Sequence, residues 1–69
     1  MTWYFYALPN DEYGQQIFRA GVNGEQGYIA ITEADDFNQA TLQFAQWLSE
    51  NGHGVSAGYS VINGDKNTN

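Results

Sequence analysis

Tyr28-Ile29-Ala30-Ile31-Thr32-Glu33-Ala34-Asp35-Asp36-Phe37 decides the fold, because it passes from a short extended run into a helix start with almost nothing between. Tyr28 to Thr32 has the branched and aromatic character of a strand. Thr32, followed three positions later by Asp35, is a variant of the capping box, and Glu33, Asp35 and Asp36 put anions where a helix macrodipole favours them. A helix is therefore expected to begin at Thr32. From Phe37 onward, Ala40, Thr41, Phe44, Ala45, Trp47 and Leu48 share a broad stripe at about 100° per residue, with Asn38, Gln39, Gln43, Gln46 and Ser49 opposite. Gly52 supplies the expected stop.

On the C-terminal side, Val55, Ala57, Tyr59 and Val61 alternate onto one face, which predicts a fourth strand ending at Ile62. Asn63 to Asn69 offers nothing to bury and is expected to be a flexible tail. On the N-terminal side, Thr2 to Leu8 is an aromatic strand, broken by the turn residues of Pro9-Asn10-Asp11-Glu12-Tyr13-Gly14. Gln15 to Val22 forms a second strand, and Asn23-Gly24 fits a type I′ hairpin turn into the third. The order β-β-β-α-β predicts an α+β domain over residues 1–62: a small four-stranded, largely antiparallel sheet with one helix packed on one face. The expected topology is a meander, with the last strand at an edge or beside strand one. If Phe18, Ile29 and Ile31 meet the helix, Tyr4, Tyr6, Arg19 and Tyr28 line the open face.

Eight carboxylates against two cationic side chains give the 69-residue chain a net charge of -6, with one histidine and no cysteine. That composition excludes disulfides and thiolate chemistry, and it opposes direct contact with nucleic-acid phosphates or anionic lipid. The first residues lack a basic leader and are too few to span a bilayer, so a cytoplasmic location is expected. The natural complement of such a charge is a cationic surface on another protein.

In a meander, strands one and three both end at the same pole. Asp11 and Glu12 in the first turn then lie beside Glu33, Asp35 and Asp36 at the helix start, which gathers five acids. Each has an ordinary explanation alone, in turn chemistry or helix capping. As a set they repel one another with no base nearby, an arrangement that a cationic partner relieves. The expected partner-binding residues are therefore Asp11, Glu12, Glu33, Asp35 and Asp36, with Tyr13 and the open-face Tyr4, Tyr6 and Tyr28 as secondary contacts.

No catalytic residues, metal or cofactor are expected. Asp11-Glu12 and Asp35-Asp36 lack the loop that wraps calcium, and a domain this small leaves little room for a glycosidase-like cleft. His53 sits in a helix-terminating loop with no Ser or acid spaced to form a triad. Gly21, Gly24 and Gly27 are followed by no helix and accompanied by no Lys, so they do not form a phosphate loop.

With its single compact domain, its acid-loaded segments Pro9-Asn10-Asp11-Glu12-Tyr13 and Thr32-Glu33-Ala34-Asp35-Asp36-Phe37 and its lack of catalytic residues, the chain resembles the small acidic anti-CRISPR proteins of phages. The resemblance implies a stoichiometric inhibitor in a bacterial host cell, a monomer or weak homodimer. Its partner would be a basic nucleic-acid-binding protein, a subunit of a Cas effector complex, expected to be of type I. It implies that the carboxylates imitate DNA at the effector's DNA- or PAM-binding site, since a protein that grips phosphates with Lys and Arg also attracts a rigid carboxylate array. The alternative is an antitoxin-like or immunity-like neutraliser, or a general interaction module, that docks through the tyrosine-rich face.

Overall fold

Four consecutive aromatic residues, Trp3 to Tyr6, point alternately to the two faces of the first strand, so that each sheet face receives large rings. The computed structural model describes residues 1–51 and 58–64; the expected strand residues Val55 to Ala57, the stop at Gly52, His53 and residues 65–69 lie outside them. Four strands, β1 (Thr2–Leu8), β2 (Gln16–Gly21), β3 (Ala30–Glu33) and β4 (Tyr59–Asn63), form one sheet, and α1 (Phe37–Glu50) lies on one face. The α+β class and the β-β-β-α-β order are as the sequence predicts.

The strand order is β3-β1-β2-β4. β1 pairs antiparallel with both β2 and β3, and β4 runs parallel to β2. β2, β3 and β4 therefore share one direction, and β1 alone runs the other way. This corrects the meander: β3 does not fold back beside β2 but lies on the far side of β1.

The Asn23-Gly24 hairpin is corrected with it. Positive φ is found at Gly14, Gly27 and Gly58 among the described residues, not at Asn23 or Gly24. Residues 22–29 instead cross the sheet face opposite the helix. Gly24 is required there by proximity, because a Cβ at this position would fall 2.5 Å from Cζ of Tyr4. The crossing is fastened by the Tyr6 hydroxyl, which accepts from the Glu25 amide at 2.7 Å and donates to the Glu25 carbonyl at 2.9 Å.

The start of the helix also differs from the expectation. Asp36, not Thr32, is the N-cap, and its carboxylate accepts from the Gln39 amide at 2.8 Å. Gln39 answers through its Oε1, which accepts from the Asp35 amide at 2.7 Å. Thr32 and Glu33 are unavailable to the helix because they are paired with Trp3 and Thr2 of β1. Asp36 and Gln39 thus make a variant of the capping box in which the returning bond reaches the amide before the cap, and strand pairing outcompetes the upstream one.

Between α1 and the sheet, Trp3, Phe5, Phe18, Ala20, Ala30, Ala40, Phe44 and Leu48 are buried. Phe44 is the hub: it stacks on Phe5 at 4.1 Å between ring centroids and meets Phe18 edge-on at 4.9 Å. Small Ala20 and Ala30 flank Phe5 in the sheet and leave room for these rings. Register puts Ile31 beside Tyr4 on the opposite face, where it is 51% exposed, so Ala30 and Thr32 take the helix-facing positions expected of Ile29 and Ile31. Ile29 nevertheless packs partly against the core.

Candidate functional site

The direction of β3 decides where the acids go. Leu8 and the turn after it lie at one end of the sheet, whereas Glu33 pairs with Thr2 at the other. At about 3.3 Å per residue, the length of β1 puts roughly 20 Å between the two ends. The expected single pole of five carboxylates is therefore divided. Asp11 and Glu12 occupy one end; Glu33, Asp35 and Asp36 occupy the other.

At the first end the turn is built on Asp11. One carboxylate oxygen accepts from the Tyr13 amide at 2.9 Å and from the Gln15 amide at 2.8 Å. Its carbonyl accepts from the Gly14 amide, where φ of 82° suits glycine. Asp11 is thus committed to the turn. Glu12 is exposed beside it, and Tyr13 is 86% exposed, a ring with little of its own chain to cover it.

The second end is richer in charge. Glu33 closes β3, accepts a hydrogen bond from the Thr2 hydroxyl, and lies 3.8 Å from the Met1 amino group. Asp35 and Asp36 follow, both exposed, the latter spending one oxygen on the cap. Three carboxylates within four residues gain rigidity from the strand end and the helix start. Nothing among the described side chains neutralises Asp35.

The single basic side chain among the described residues lies elsewhere. Arg19 sits on the open face, its guanidinium carbon 4.5 Å from the centroid of the Tyr6 ring and its Nη2 3.9 Å from Glu25. This confirms that Tyr4, Tyr6, Arg19 and Tyr28 share that face, with Tyr4 and Tyr28 in edge-to-face contact at 5.2 Å. The crossing segment covers its centre, however. Tyr6 is only 6% exposed, so the face offers a partner chiefly Tyr28 and the flanking Ile31 and Ile62.

Sequence reasoning missed a groove on the helix side. Phe5, Phe44 and Trp47 form a stack of near-parallel rings, with interplanar angles of 3° and 11°. Beside it, between β3 and α1, is a cavity of about 230 Å³ to which Thr32, Gln43 and Glu50 also contribute. The available signal was the i, i+3 spacing of Trp47 and Glu50, which places them together on the helix surface.

No group of three or more His, Asp or Glu that could hold a metal occurs among the described residues, and no helix among them is long and apolar enough to cross a membrane. No protein-family model, curated protein or solved structure matches this chain.

Proposed function

We propose that the protein acts by charge, as a stoichiometric binder of a basic, nucleic-acid-binding protein surface. Following the anti-CRISPR resemblance, that surface is the DNA- or PAM-binding site of a Cas effector complex. The observation that carries the reading is the set Glu33, Asp35 and Asp36, presented on one rigid corner of a chain with a net charge of -6, where the Met1 amino group is the one nearby cation among the described residues and their basic side chain is held on the open face. Fixed carboxylates attract Lys and Arg that otherwise hold phosphates, without any chemical step. Glu33, Asp35 and Asp36 are the primary contact. Asp11 and Glu12, about 20 Å away by strand length, join only where the partner's basic surface runs the length of the sheet.

The alternative, docking through the tyrosine-rich face, has less surface to work with, because residues 22–29 lie over Tyr4 and Tyr6.

The test is whether the purified protein blocks target-DNA binding by purified effector complexes at low and high salt. Stoichiometric block that weakens with salt is expected, and the variant E33K/D35K/D36N should lose at least about tenfold in potency, equivalent to about 1.4 kcal/mol. Asp36 is changed to Asn because Asn also caps a helix. Block that is unchanged in this variant refutes the reading.

A further inference from the structure

β3 is an edge strand, and its free side adjoins the groove. The Ala34 amide donates to the Met1 carbonyl at 2.9 Å, in register with the β1–β3 ladder. In an antiparallel pair the residues that face their partner with N–H and C=O alternate. Thr32 and Ala30 therefore turn these groups toward β1, and Ile31 and Glu33 turn theirs outward. The outward groups of Ile31 and Glu33 have no partner among the described residues. Alternate side chains of a strand added there would point into the cavity.

At about 230 Å³ the cavity is smaller than the roughly 300–1,000 Å³ of small-molecule pockets, and suits a single side chain. Its walls select which one. The Trp47 ring in its wall favours an alkyl stem and a cation, and Glu50, which accepts from the Gln46 amide group at 3.1 Å, supplies the counter-charge at the rim.

We propose that the β3 edge and this groove dock an extended cationic segment of a partner protein, which adds as a fifth strand beside Ile31 and Glu33 and lays one Lys or Arg along the Trp47 ring against Glu50. Charge decides against a second copy of this chain, since two such copies bring like charge to the same edge. The inference deepens the charge-based reading, from which it takes the sign of the partner, and it names the element the partner inserts.

The probe is the blocked peptide Thr-Val-Thr-Lys-Val-Thr-Val, titrated into ¹⁵N-labelled protein, with a counterpart carrying norleucine in place of lysine. Binding should move the Ile31 and Glu33 amide signals and the Trp47 indole signal, and slow hydrogen exchange at Ile31. Norleucine should weaken binding about tenfold, through loss of the cation–π contact and the ion pair. E50Q should weaken it about two- to fivefold, as for an exposed pair. Three results overturn the proposal: no shift at these signals up to millimolar peptide, equal binding of the norleucine peptide, or concentration-dependent shifts at β3 without peptide, which would mean self-pairing. The two readings fail separately. Peptide binding at β3 without any block of effector complexes removes the inhibitor reading and leaves the docking site; block without peptide binding does the reverse.

Discussion

Gly24→Ala is the sharpest test of the crossing segment that the sequence did not announce. The new methyl would stand 2.5 Å from Cζ and 2.8 Å from Cε2 of Tyr4, well inside van der Waals contact. The ring must shift, and its edge contact with Tyr28, worth about 0.5–1.5 kcal/mol, is the contact that this shift disturbs. Overpacking of this kind costs about 1–2 kcal/mol with that loss included. For a 69-residue domain of about 3–10 kcal/mol total stability this is a large fraction, and it should lower Tm by roughly 4–8 °C per kcal/mol. Tyr4→Leu removes the obstructing ring, so the double variant should recover about 1 kcal/mol relative to the sum of the single changes. Urea unfolding of the four proteins gives the coupling energy directly. In a type I′ hairpin, by contrast, the cost of Gly24→Ala would arise from the backbone conformation and would be indifferent to Tyr4. Strict additivity in the cycle would therefore refute the crossing over the open face.

Three further outcomes follow from the core and the helix cap. Asp36→Ala should cost about 1 kcal/mol by removing the cap on the Gln39 amide, whereas Thr32→Val should leave the helix start intact; thermal unfolding followed by circular dichroism separates the two. Phe44→Ala removes the ring shared by Phe5, Phe18 and Trp47 and should cost about 3–5 kcal/mol, enough to leave little cooperative transition in urea, while Phe44→Leu should retain one. The buried indole nitrogen of Trp3 has no hydrogen-bond partner among the described residues, so Trp3→Phe should cost less than about 1.5 kcal/mol, because the loss of volume is offset by removal of an unsatisfied donor. A larger loss in calorimetry would show that the nitrogen is satisfied.

The strands and the helix were legible because their signals are local. Thr2 to Leu8 carries an unbroken run of aromatic residues of high strand propensity, and Ala40, Phe44 and Leu48 repeat with the helical period. What was not legible was pairing. Asn23-Gly24 reads as a hairpin wherever it stands between two strands, and only the contacts with Tyr4 and Tyr6 show why glycine is needed here for close approach instead of for turn geometry. That one misreading reversed β3 and, through it, the grouping of Asp11 and Glu12 with Glu33, Asp35 and Asp36. The choice between Thr32 and Asp36 as cap failed for a related reason: both are good local candidates, and the ladder with Trp3 and Thr2 decides between them. The identity of the charged residues was plain from the start; their relative positions depended on a long-range pairing that no local signal encodes.

The placement of β1 between β2 and β3 gives the chain an order of assembly. Its contacts with β2 close over a loop of only seven residues, 9–15, and so are the first pairing that chain entropy allows. β3 then adds on the open flank of β1, and β4 reaches β2 last, after the helix has been laid down. The sheet grows outward from its oldest strand, in the sequence in which synthesis delivers the pieces. During that interval the flank of β2 later taken by β4 is bare, and the long pause before its partner arrives is the stage at which a nascent chain of this kind is most exposed to pairing with the wrong strand.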